Sequence, residues 1–122
     1  MIHFNNGMHG DGYSEDAYAG ALPDLLATLR KFAPRARLIF ATTTDVRERN
    51  KLDQTLPKTD RMVRRNQIVT DFAKRQNIPV DDLFTVVRDH PEYHAADGVH
   101  FAEAGYDALA RQVVKEVLKL LP

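Results

Sequence analysis

The chain has 122 residues, 43% of them hydrophobic and 28% charged, with 17 basic residues against 17 acidic ones and no cysteine. That length suits one globular domain, which at this size buries roughly two thirds of its unfolded surface, so residues 1–122 are expected to form a single domain. With the charges balanced and neither sign gathered into a run, nothing tracks phosphates or attracts a membrane, so neither nucleic acid nor a lipid surface is an expected partner. The lack of cysteine excludes a disulfide framework, a thiolate nucleophile and a cysteine zinc site, and it suits cytosol and periplasm alike.

Met1 leads straight into Ile2-His3-Phe4-Asn5, without the basic region and apolar core of a signal peptide, and no stretch approaches the roughly 20 apolar residues of a spanning helix. A soluble chain is expected. Ile2-His3-Phe4 reads as a short strand that stops at Asn5-Asn6-Gly7, residues that tolerate turn geometry. The following loop passes Gly10-Asp11-Gly12 and ends at Ser14. There the hydroxyl caps a helix start, and Glu15 and Asp16 face the positive end of its dipole. This helix carries Tyr18, Leu22, Leu25, Leu26, Leu29 and Phe32; Pro23, which lacks an amide hydrogen, is expected to bend or restart it near Ala21 to Leu22.

Pro34 closes the helix. Ala36 to Ala41 is then a strand apolar enough for a sheet covered on both faces, and Thr42-Thr43-Thr44 ends it. Asn50 to Lys58 reads as a polar loop. From Asp60 to Gln76 a second amphipathic helix sets Met62, Val63, Ile68, Val69, Phe72 and Ala73 largely on one side. Asp81 to Val87 suits a short third strand or a helical turn equally. From Ala102 onward, Tyr106, Leu109, Val113, Val117 and Leu121 keep helical spacing, and this last helix needs an apolar surface to pack against. Strands and helices in alternation form a parallel α/β sheet with right-handed crossovers, whose sites lie beyond the carboxyl ends of the strands.

The polar segments at those ends carry the candidate chemistry. Asp97-Gly98-Val99-His100 precedes the last helix, where a carboxylate three residues back can hold one nitrogen of the imidazole and leave the other exposed, the base and orienter that a hydroxyl nucleophile needs. The plainer reading of the pair is a helix cap or a solvated loop. Asn5, at the end of the first strand, can donate to the oxyanion of a tetrahedral intermediate or can simply be a turn residue. His90, His94 and His100 near Asp97 offer a further reading as zinc ligands, weakened by the absence of a helical His-Glu-x-x-His arrangement.

His3-Phe4-Asn5-Asn6-Gly7 resembles the third sequence block of the SGNH, or GDSL, hydrolases, and Asp97-Gly98-Val99-His100-Phe101 resembles their fifth. Ala41 to Thr44 with Val46-Arg47, and the segment Asp89 to His94, are similar to one bacterial branch of that family. The resemblance implies a three-layer flavodoxin-like parallel sheet and hydrolysis of acetyl or short acyl esters, often on carbohydrate, without a cofactor or metal. It implies His100 as general base, Asp97 as its orienter and Asn5 as oxyanion donor, with Asn6 an alternative because the family's usual Asn-Asp pair is Asn-Asn here. The family's nucleophile serine stands in its first block and an oxyanion glycine in its second. This chain begins at the third, so an N-terminally truncated, incomplete SGNH domain with little or no activity of its own is expected.

Ser14 is the only serine, and capping accounts for it better than recruitment as a nucleophile; the hydroxyls of Thr42 to Thr44 are weaker substitutes. Without the family's first two strands, Ile2-His3-Phe4 becomes an edge with unpaired backbone groups. A homodimer or higher oligomer through that strand is therefore expected, as is a non-catalytic self-associating or carbohydrate-binding role if the gene truly starts at Met1.

Overall fold

The structure, a computed structural model, describes residues 1–5 and 12–121. Three parallel strands, β1 (Ile2–Phe4), β2 (Leu38–Ala41) and β5 (Val80–Asp81), form a sheet in the order β1-β2-β5. The register sets Phe4 beside Phe40 and Phe40 beside Val80, and it sets His3 beside Ile39 and Ala41 beside Asp81. Because side chains alternate across a strand, the two sets point to opposite faces.

The Phe40 face carries the main core. Leu22 and Leu26 of α1 (Glu15–Phe32) and Val69, Phe72 and Ala73 of α2 (Thr59–Arg75) close over Phe40 and Ile78, with Phe4, Leu38 and Val80 at the margin. Phe40 meets Phe4 edge-on at 5.7 Å and Phe72 at 6.2 Å between ring centres. Each fully buried side chain of this size contributes about 1.5–3 kcal/mol, which is why the interleaved apolar spacing of α1 and α2 outweighs their polar outer faces. On the other face α4 (Glu103–Leu118) lies along the sheet, its Gln112 donating to the buried Asp81 at 2.8 Å. His3 Nε2 approaches the second Asp81 oxygen at 2.8 Å, so a carboxylate with no exposed surface is held from two sides.

The layering is therefore helices, sheet, helix, as expected for a flavodoxin-like parallel sheet. Several local features differ from the sequence reading. Pro23 lies inside a helix that runs from Glu15 to Phe32 without a restart. The flanking Leu22 and Leu26 are buried while Pro23 faces solvent, so packing on either side outweighs one missing backbone hydrogen bond. The stretch from Asn50 to Lys58 is not wholly loop: β3 (Arg47–Glu48) and β4 (Lys51–Thr55) form an antiparallel hairpin turned at Asn50, whose φ is 61°. Asparagine tolerates that left-handed geometry, and the hairpin is anchored by the buried Arg47 instead of by apolar alternation, so the periodicity that marks a strand is missing. The ambiguous segment from Asp81 resolves into both alternatives, with β5 followed at once by α3 (Leu83–Val87), which Asp82 caps.

Candidate active site

The loop from Ala95 to His100 is closed by its own backbone. His94 and Phe101 form a β-bridge at its base, Ala95 donates to the His100 carbonyl at 2.8 Å, and Gly98 donates to the Ala95 carbonyl at 2.9 Å. Gly98 has a φ of 74°, and a Cβ placed on it would lie 2.2 Å from the Arg47 carbonyl oxygen, so only glycine fits. The Arg47 amide in turn donates to the Gly98 carbonyl at 2.8 Å, which seats the loop on the hairpin.

Within this loop one Asp97 oxygen accepts the amides of Val99 and His100 at 2.9 Å each, while the other lies 2.6 Å from His100 Nδ1. A carboxylate only accepts, so Nδ1 carries the proton, and in the neutral ring Nε2 holds the lone pair. The His100 side chain is 71% exposed among the described residues. Its hydrogen bond with Asp97, joined by the two amides, holds the Asp97 carboxyl well below the usual carboxylate range. The pair has the arrangement of a base and its orienter, built from residues three apart.

Asn5 follows β1 and donates from Nδ2 to the Thr42 carbonyl at 2.8 Å, which ties its amide to the end of the neighbouring strand. Asn6, the alternative donor, lies outside the described residues. Ser14 caps α1, its oxygen accepting the Ala17 amide at 3.1 Å. Thr42 is buried, donating to Asp82 at 3.1 Å and accepting the Phe84 amide at 2.9 Å, so its hydroxyl is committed to joining β2 to α3. Thr43 is buried as well, its backbone clamped from both sides by the Asn66 amide at 2.8 Å.

The three imidazoles considered as zinc ligands have separate partners. His90 pairs with Glu92 at 2.8 Å and stacks on Tyr93, His94 is buried against Asp45, and His100 is held by Asp97. Among the described residues no three His, Asp or Glu side chains gather to hold a metal. Three shallow clefts of about 460, 510 and 470 Å³ have neither Asn5, Asp97 nor His100 in their linings.

Residue-by-residue reasoning missed a group linked to the loop from Ala95 to His100. Asp45, Arg47 and His94 form a buried set in which Arg47 Nη2 is 2.8 Å from Asp45 Oδ2 and His94 Nε2 is 3.1 Å from Asp45 Oδ1. The only sequence signal was the likeness of the segments containing Arg47 and His94 to one branch of the esterase family.

The sequence profile of the GDSL-like lipase/acylhydrolase family matches residues 4–108. The chain belongs to this family. Among solved structures, it superposes with a TM-score of 0.77 on a GDSL-like lipase from Bacteroides thetaiotaomicron, at 22% identity, covering 99% of this chain and 63% of the other. The esterase domain of a zebrafish retrotransposon ORF1 protein gives a TM-score of 0.77 at 16% identity, covering 88% and 61%. An acetylxylan esterase from Geobacillus stearothermophilus gives 0.66 at 22% identity, covering 85% and 47%. The chain thus spans less than two thirds of the length of these family structures. Comparison with curated proteins gives no match. No described helix is long and apolar enough to cross a membrane.

Proposed function

We propose that this chain is the base-bearing part of a GDSL-type ester hydrolase acting on acetyl or short acyl esters, such as those carried by carbohydrates, and that residues 1–122 are one incomplete domain of that kind. The observation that carries this reading is the Asp97–His100 pair, 2.6 Å apart with the imidazole 71% exposed. In the proposed reaction a serine hydroxyl supplied from outside these 122 residues gives its proton to His100 Nε2 as its oxygen attacks the ester carbonyl. His100 then returns the proton to the departing alcohol, and water releases the acyl group by the same route. Asp97 keeps the ring in the Nδ1–H form. Asn5, or Asn6 beside it, donates to the oxyanion, and no cofactor takes part. The acetylxylan esterase among the structural neighbours supports the choice of carbohydrate acetyl esters as first substrates.

With its own serine engaged as a helix cap, the 122-residue chain alone should turn over very little, because loss of the nucleophile in such sites costs on the order of a millionfold. The test is acetate release from acetylated xylan by the full product of the parent reading frame. An upstream Gly-Asp-Ser type segment and release that depends on His100 support the proposal; a full product that contains such a segment and releases no acetate from any short-chain ester defeats it.

One observation favours self-association as a second reading. Among the described residues β1 pairs with β2 alone, and Tyr106, Val114, Leu118 and Leu121 along the last helix and its end are each more than half exposed. A second copy pairing at β1 would extend the sheet and cover apolar surface. Light scattering at micromolar concentration tests this, and a clean monomer rejects it.

A further inference from the structure

We propose that Asp45, Arg47 and His94 are positioning residues that hold the His100 loop in register, so that the Asp97–His100 pair keeps its geometry although it stands in solvent. For its catalytic meaning this rests on the reading of His100 as a base.

Arg47 serves the loop twice. Its amide donates to the Gly98 carbonyl at 2.8 Å. Its guanidinium, only 4% exposed, donates to the Leu52 carbonyl at 2.7 Å and to the Arg88 carbonyl, so it joins the hairpin to the end of α3. Asp45, 1% exposed, lies between this guanidinium and the fully buried His94 ring. His94 itself forms the backbone bridge with Phe101 that closes the loop, and its ring lies 4.8 Å from that of Phe101. A chain of contacts thus runs from the hairpin through Asp45 and His94 to both stems of the loop.

A packing role alone does not account for these residue types. Arg47 Nε and His94 Nδ1 are buried without a hydrogen-bond partner among the described residues, a cost that apolar side chains of the same volume would avoid. Buried ion pairs of this kind are often no more stabilising than apolar replacements, and their best-attested use is to fix one arrangement among several. Here the arrangement fixed is the seat of Gly98 on Arg47, one residue from Asp97 and two from His100.

The test is the tautomer of the His100 ring, read by long-range proton–nitrogen NMR at a pH where the ring is neutral, a readout that core packing by itself would not move. In the unmodified chain the proton is expected on Nδ1. In His94→Gln and Arg47→Lys variants that circular dichroism shows to be folded, the ratio of Nδ1–H to Nε2–H is expected to fall about fivefold or more, toward that of Asp97→Asn. Folded variants that keep the original ratio overturn the proposal. A ring with its proton on Nε2 in the unmodified chain overturns the base reading itself, so the two failures are distinguishable.

Amide hydrogen exchange of the unmodified chain needs no variant and covers the case in which the substitutions unfold it. The amides of Ala95 and Gly98 are expected to open together with that of Arg47 as one unit. Loop amides exchanging more than about a hundredfold faster than the Arg47 amide, after correction for intrinsic rates, would show that the buried set does not hold the loop.

Discussion

Two histidine–carboxylate pairs stand close together in the chain and could hardly be placed more differently. His94 and Asp45 are buried, with side chains 0% and 1% exposed, whereas His100 and Asp97 are 71% and 37% exposed. In the first pair the charge is taken out of water, neutralised by Arg47 and used to lock backbone to backbone. In the second the carboxylate is fixed by amides of its own loop and the imidazole it holds stands largely in solvent. In the reading proposed above, the same two residue types make an anchor or a base according to what surrounds them, and the buried pair is linked to the base-bearing loop through the Arg47–Gly98 hydrogen bond and the His94–Phe101 bridge.

Substitutions should separate the two pairs sharply. His100→Ala in the assembled enzyme is expected to lower kcat by about a millionfold while shifting the unfolding free energy of the chain, measured in urea, by less than about 0.5 kcal/mol. Asp97→Asn, which permits the wrong tautomer, should lower kcat by about ten-thousandfold, measured on the same ester. Asp45→Ala differs in that the fold itself is weakened. It leaves the Arg47 charge buried without its carboxylate and should cost about 3–5 kcal/mol of stability in urea unfolding. Equal stability losses at Asp45 and Asp97 would erase the distinction between anchor and base.

Smaller effects sharpen the comparison. Ser14→Ala removes a helix cap and should cost about 1 kcal/mol, with any esterase activity unchanged. The smallest effect is in acid. The Asp97 carboxyl, held below its ordinary range chiefly by His100, favours the folded loop at every pH above the unfolded Asp value, and that contribution is lost only as pH falls through the lowered folded value. A carbon NMR titration of Asp97 should therefore place its midpoint below that of an ordinary aspartate. In His100→Ala the midpoint should move back up.

How far the sequence reveals this molecule depends on how local each cause is. The Asp97–His100 pair was readable because both partners and the amides that hold them lie within four residues. The amphipathic spacing of α1, α2 and α4 likewise reports which side meets the sheet. Asp45 and His94, in contrast, meet across 49 residues of chain, and nothing in the pattern around either residue announces the other. The β4 strand falls within the Asn50 to Lys58 stretch that reads as loop, because a buried arginine, not an apolar alternation, holds its hairpin. Of the bend or restart that Pro23 suggests, the restart does not occur, since the helix runs on from Glu15 to Phe32. For Asn5 the sequence supplied a position at the end of a strand, and the structure adds the bond to Thr42 that fixes its amide.

The most direct test of the central claim, that Asp97–His100 is a working base and that no serine of this chain serves it, is hydrolysis of 4-nitrophenyl acetate by the 122-residue chain beside its His100→Ala and Ser14→Ala variants. The expected result is slow turnover that falls toward the buffer rate in His100→Ala and is unchanged in Ser14→Ala. A rate untouched by His100→Ala, or abolished by Ser14→Ala, would contradict the account.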